Sequence, residues 1–136
     1  MQSRKQLLLL LAGLCASISA QAVDPTATTE FQIEDPVTHH RKPVLEARLD
    51  QYVCLSIQAE LVPDGEHSVQ LTIYDGLGNE VHKSVNHKTV SDHSLGTTIC
   101  HGFDENHDVP GTWWYVIELD DKPLVSASIE IRPKDD

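Results

Sequence analysis

Alternation of apolar and polar residues is clearest near the C-terminal end of the chain, where it predicts a β-hairpin. Residues 113–119 and 125–131 each alternate with a period of two, and residues 120–122 form a polar turn between them. The apolar positions are Trp113, Tyr115, Ile117 and Leu119 in the first run and Val125, Ala127, Ile129 and Ile131 in the second. Both tryptophans of the protein lie here, so we expect this hairpin to carry much of the core.

Similar patterns occur along the preceding sequence. Alternation over residues 51–61 and 69–73 predicts two strands, separated by the turn residues 63–65. A turn at residues 75–79 leads to a short strand at 80–85, and a further strand is predicted at 97–103. Residues 31–33 form a short candidate strand, whereas residues 44–49 fit an edge strand or one helical turn equally well. We interpret residues 86–95 and 104–108 as loops.

Seven or eight short strands separated by turn residues predict an all-β protein, an antiparallel β-sandwich. Residues 73–81 have the pattern strand–turn–strand, and residues 110–116 lead into a late strand. In these two segments the chain resembles small immunoglobulin-like domains of bacterial exported proteins. It departs from the antibody pattern because no Trp lies between Cys54 and Cys100.

The N-terminal residues have the features of a cleavable signal peptide. Arg4 and Lys5 precede an apolar run of about ten residues, too short to span a membrane, and an Ala-x-Ala pattern ends at Ala22. The predicted organisation is a signal peptide at 1–22, a lead-in with a possible short strand at 23–43, a β-sandwich domain at 44–133 and a charged tail at 134–136. An uncleaved anchor and lipidation at Cys15 are the alternatives. We predict a periplasmic or secreted protein, without membrane insertion after cleavage.

The formal net charge of the whole chain is −11 at pH 7, and removal of Arg4 and Lys5 makes the mature protein more acidic still. Such a surface repels nucleic acid and anionic membranes, so neither is an expected partner.

Cleavage after Ala22 would leave Cys54 and Cys100 as the remaining cysteines. In an exported protein an even pair predicts a disulfide, with two free thiols or a metal site as alternatives. Cys54 alternates with Val53 and Leu55, and Cys100 with Ile99. If these apolar residues face the core, the disulfide joins neighbouring strands on the outside of a sheet.

Histidine is the unusual feature of the composition. All eight histidines follow residue 22, and they are densest between residues 82 and 107. Zinc or copper binding is therefore an alternative function, but a site needs three or four ligands to converge, and no metal-binding spacing is present. The candidate ligands are His82, His87, His93, His101 and His107. Residues 104–108 imitate the start of a calcium loop, although Val109 and Tyr115 replace its glycine and glutamate.

The sequence contains no catalytic motif, so we do not expect an enzyme, and we expect no cofactor apart from the metal alternative. Trp114 is the remaining candidate for binding, because it lies on the opposite face of its strand from Trp113. An exposed Trp would stack on a saccharide or anchor a protein partner, unless another segment covers it. The leading prediction is an exported, non-enzymatic β-sandwich that binds an unidentified protein or saccharide.

Overall fold

The computed structural model describes residues 24–134. The predicted signal peptide, Val23 and the last two residues of the predicted tail lie outside this range. Residues 24–134 contain strands and turns but no helix, as predicted for an all-β protein. The strands are β1 (Thr26–Glu34), β2 (Arg41–Pro43), β3 (Glu46–Arg48), β4 (Tyr52–Glu60), β5 (Gly65–Tyr74), β6 (Glu80–Val90), β7 (Ser94–Gly102), β8 (Gly111–Leu119) and β9 (Lys122–Arg132).

The strands form two sheets that pack face to face. One has four strands in the order β2-β1-β4-β7, and the other has five in the order β3-β9-β8-β5-β6. All neighbouring strands are antiparallel except β3 and β9, which are parallel. Asp120 and Asp121 both have positive φ and form the two-residue turn of the predicted β8–β9 hairpin. This turn conformation matches the twist of the flanking strands, which explains the short connection.

The core lies between the sheets and is built from the inward-facing positions of each alternating strand. Trp113, Tyr115 and Ile117 on β8 are almost completely buried, as are Val53 and Leu55 on β4. Aromatic rings pack edge to face, with centroids 5.3 Å apart for Phe31–Tyr115 and 4.8 Å for Phe103–Trp113. The predicted inner face is therefore confirmed for β8 and for Ile129 and Ile131 on β9, while Val125 and Ala127 are partly buried.

The predicted lead-in at residues 23–43 contains a longer strand than the expected residues 31–33. Thr26–Glu34 is a full strand that pairs with β4 along its whole length and with β2 at its end. The inward positions Ala27 and Thr29 are small or polar, so the apolar alternation visible in the sequence begins only at Phe31. Threonine nevertheless favours extended conformations because its side chain is β-branched.

The predicted loop at residues 86–95 was wrong. β6 continues to Val90, Asp92 and His93 form a turn with positive φ, and β7 begins at Ser94. β6 is the edge of its sheet and most of its side chains are exposed on both faces, so it has no apolar alternation. Of the two alternatives for residues 44–49, the edge strand is right, because β3 pairs with β9.

Cys54 and Cys100 form the predicted disulfide. They lie directly opposite each other on β4 and β7 of the same sheet, so the bridge joins neighbouring strands, as the alternation indicated. Cys54 has no exposed surface although it lies on the outer face of the sheet. The bridge is compatible with a protein outside the cytoplasm. Within residues 24–134, no helix has the length and hydrophobicity needed to cross a membrane.

Candidate binding face around Trp114

The two adjacent tryptophans of β8 occupy opposite faces of the five-stranded sheet. Trp113 points into the core, where its indole Nε1 donates a hydrogen bond of 2.8 Å to the carbonyl oxygen of Val109. Trp114 points outward and has 46% of its surface exposed, against 2% for Trp113. Among residues 24–134, no other segment covers Trp114 completely, so its side chain is accessible to a binding partner.

The register of the sheet places Trp114 in the middle of a row of outward-facing side chains. It is paired with Tyr74 on β5 and with Ser128 on β9. The next row along β8 contains Val116, paired with Thr72 and Ser126. Ser126 and Ser128 on β9 are small and exposed, so they leave the indole accessible from that side.

Further exposed apolar side chains lie on the β6 side of Trp114. Val85 is paired with Gln70 on β5, and Val81 lies at the bulge where β6 pairs with Tyr74. Both valines have about half of their surface exposed, and Leu77 in the β5–β6 turn is more exposed still. We define the Trp114 face as Tyr74, Leu77, Val81, Val85, Trp114 and Val116.

The turn that carries Leu77 is held in place by two local features. The Asp75 Oδ1 atom accepts hydrogen bonds from the backbone N–H groups of Leu77 and Asn79, at 2.9 and 3.0 Å. Gly76 packs against the loop before β8 so closely that a Cβ atom there would lie 2.1 Å from the carbonyl oxygen of Pro110. A larger side chain at position 76 would push the turn away from β8. The turn that carries Leu77 is therefore held in a fixed position relative to Trp114.

Polar pairs border the Trp114 face along β8. Thr112 donates a hydrogen bond of 2.7 Å to Glu130, and the Gln70 amide lies 3.5 Å from a Glu118 oxygen. Lys83, paired with Thr72, adds a positively charged side chain on the β6 side. An apolar centre with a polar border is the usual composition of a protein-binding surface.

The candidate metal ligands do not converge. Within residues 24–134, no three His, Cys, Asp or Glu side chains are placed so that they would hold a metal ion. His82 and His87 are exposed on β6, whereas the other three histidines contact separate aspartates. The pairs are His93–Asp64 at 3.5 Å, His101–Asp108 at 3.0 Å and His107–Asp104 at 3.0 Å. The described part of the structure therefore does not bring the five candidate histidines together.

The acidic loop at residues 104–108 uses its carboxylates to stabilise its own turn. Asp104 Oδ1 accepts a hydrogen bond from the Asn106 N–H, and Asp108 Oδ2 accepts one from the Asp104 N–H. The hydrogen bond from the Asn106 N–H, and after it the contact with His107, hold the pKa of Asp104 below its ordinary value. The resemblance of this loop to a calcium site is thus explained by turn formation.

A fourth contact between a histidine and an aspartate was not predicted from the sequence. The largely buried imidazole of His67 lies 2.5 Å from Asp120 Oδ2 through Nδ1 and 2.5 Å from the Pro63 carbonyl oxygen through Nε2. Both partners are acceptors, so both ring nitrogens are best placed to donate and the imidazolium is favoured. The hydrogen bond with Asp120 raises the pKa of His67, and the same bond lowers the pKa of Asp120. Residues 67 and 120 are too far apart in sequence for a local pattern to reveal this pair.

Comparison with known proteins provides no further assignment. No protein-family model matches the chain, and a search of curated proteins finds no significantly similar sequence.

Proposed function

We propose that this protein is an exported, non-enzymatic β-sandwich of immunoglobulin-like topology that binds a protein partner through the Trp114 face. The observation that carries the proposal is the exposure of nearly half of Trp114 within a group of exposed apolar side chains on one sheet face. Trp is the residue type most enriched among those that dominate binding energy. Large exposed apolar groups of this kind are uncommon on soluble monomers unless they bind something.

The order of the strands supports the immunoglobulin-like part of the proposal. An immunoglobulin-like sandwich combines a sheet containing strands A, B and E with a sheet containing G, F, C and C′. If β1, β4 and β7 are A, B and E, then β9-β8-β5-β6 corresponds to G-F-C-C′. The disulfide differs from the antibody arrangement, because it joins B to E within one sheet instead of B to F between sheets.

The composition of the Trp114 face favours a protein over a saccharide. A saccharide site needs an aromatic platform with hydrogen-bonding side chains around it. Here the surroundings of Trp114 on the β6 side are aliphatic, with Leu77, Val81 and Val85 all exposed. Aliphatic groups gain most when they pack against apolar groups of a partner.

Site-specific photo-cross-linking in the cells that produce the protein tests this proposal. A benzophenone amino acid at Ser128, which is exposed and paired with Trp114, is compared with one at Thr28 on the outer face of the four-stranded sheet. We expect a discrete protein adduct from position 128 and none from position 28. Trp114→Ala should reduce this adduct by roughly tenfold or more, because hot-spot residues contribute at least about 2 kcal/mol.

Two outcomes would overturn the proposal. The first is equal labelling from positions 128 and 28, or labelling at position 128 that Trp114→Ala does not change. The second is the absence of a protein adduct together with a change in Trp114 fluorescence when soluble oligosaccharides are added to the purified protein. The second result would assign the same face to a saccharide.

A further inference from the structure

The free edge of β7 is a second surface that requires explanation. Within residues 24–134, β7 ends the four-stranded sheet. An isolated bridge between Ser91 and Ser94 closes the turn after β6, and beyond it β6 and β7 diverge into different sheets. The sheet that contains β7 has one strand fewer than the opposite sheet. A strand added beside β7 would make the two sheets equal and would lie opposite β6.

β7 lacks the features that normally prevent unwanted pairing at a sheet edge. Such protection comes from charged residues, proline or bulges. The sequence from Ser94 to Gly102 contains no Lys, Arg, Asp, Glu or Pro. Its register with β4 is continuous from Tyr52–Gly102 to Glu60–Ser94. The edge is therefore chemically open to another strand.

The disulfide shows which backbone groups of β7 face outward. The Cα atoms of Cys54 and Cys100 are 4.0 Å apart, close to the distance of a non-hydrogen-bonded antiparallel pair. Phe103, three residues after Cys100, donates its backbone N–H to the carbonyl oxygen of Gln51, which precedes β4. Odd-numbered residues of this segment therefore bond towards β4, and even-numbered residues face the other way. The N–H and C=O groups of Gly96, Thr98 and Cys100 thus point away from β4, towards the free edge.

A groove of about 200 Å³ runs between this edge and the inner side of β6. Its apolar floor includes Leu71, Ile99 and Ile117, and its β6 wall presents His82 and Lys88. Residues 81–90 contain two lysines, two histidines and no acidic residue, in a chain of net charge −11. Within residues 24–134, the half-buried Lys88 forms no ion pair.

We propose that an extended acidic segment of a partner protein adds as a strand to the edge of β7. Its backbone would pair with the outward N–H and C=O groups, and its carboxylates would meet Lys88 and His82 across the groove. Binding by strand addition takes its affinity from main-chain hydrogen bonds and its specificity from alternate side chains. This site is separate from the Trp114 face, which lies on the outer side of the opposite sheet.

The probe is a blocked nine-residue peptide of alternating glutamate and valine, with a lysine–valine peptide as its charge-inverted counterpart. Binding to the purified protein is followed by NMR chemical-shift changes of backbone amides. We expect the acidic peptide to shift the amides of Gly96, Thr98 and Cys100 and the basic peptide to have no such effect. Thr98→Pro should abolish binding because it removes an outward N–H while leaving the bonds to β4 intact. A cooperative thermal transition of Thr98→Pro would establish that the variant is folded.

Charge reversal separates recognition from damage to the fold. Lys88→Glu should weaken binding of the acidic peptide by roughly tenfold and allow the lysine–valine peptide to bind. The reason is that the substitution reverses the charge that the peptide side chains meet in the groove. Lys42→Glu introduces the same charge change on β2, at the other edge of the four-stranded sheet, and should have no effect.

The proposal is overturned if both peptides bind alike, if folded Thr98→Pro still binds, or if Lys42→Glu weakens binding as much as Lys88→Glu. Dimers in sedimentation velocity that Thr98→Pro abolishes would instead assign the edge to a second copy of this chain. Trp114→Ala should leave peptide binding unchanged, so failure here is distinguishable from failure of the proposed function.

Discussion

At the scale of single residues, the adjacent Trp113 and Trp114 offer a matched comparison between packing and binding. Trp113→Ala should reduce the free energy of unfolding by about 3–5 kcal/mol, because it opens a large cavity in the core. Trp114→Ala should cost about 1 kcal/mol or less, since its side chain is half-exposed and removal leaves no cavity. Urea denaturation of the two variants measures both values. Similar losses for the two would show that Trp114 has a mainly structural role.

The sequence predicted the inward orientation of Trp113 because strand alternation is a local property. Whether Trp114 was exposed depended on whether a distant segment packed over it, and alternation within β8 carries no such information. The same limit explains why the contact between His67 and Asp120 was missed. Side chains that approach only through strand pairing leave no trace in sequence spacing.

At the scale of elements, the disulfide fixes β4 to β7, which is an edge strand. Replacing both Cys54 and Cys100 with alanine should lower the free energy of unfolding by about 4 kcal/mol, the chain-entropy estimate for the loop that the bridge closes. Differential scanning calorimetry and urea denaturation of the oxidised protein and the double variant measure the difference. Lys42→Glu, a surface change on β2, is the control. A loss below about 1 kcal/mol would mean that residual pairing of β4 with β7 already restricts the conformations of the unfolded chain without the disulfide.

Strands with one buried face were predictable, whereas the second half of β6 and the first half of β1 were not. β4 and β8 show regular alternation because one face of each contacts the core. β6 is held by backbone pairing with β5 and has little buried surface, so its polar sequence resembles a loop. Hydrophobic periodicity reflects the burial of one face, so it does not reveal the parts of an edge strand that bury little surface.

At the scale of the whole molecule, the dependence of stability on pH follows from a few hydrogen-bonded groups. Backbone hydrogen bonds within their turns lower the pKa values of Asp35 and Asp104 below the ordinary value of 3.8, and the hydrogen bond with His67 lowers that of Asp120. These carboxylates contribute stability above that value, and it is lost as the pH falls through their lowered pKa values. We therefore place acid destabilisation below about pH 4.

His67 links stability to pH in the opposite direction, because its contribution is lost as the pH rises. Because its folded-state pKa is raised above 6.5, its contribution is complete below that pH and is lost as the pH rises through the raised value. The contribution is about 1 kcal/mol, discounted because Asp120 is half-exposed. Urea denaturation should show that the free energy of unfolding of the native protein is lower at about pH 8 than at about pH 5, and that this difference is smaller for His67→Gln. His87→Gln, at an exposed position of β6, should behave like the native protein. If His67→Gln loses as much stability as the native protein over this range, the His67–Asp120 contact does not link folding to pH.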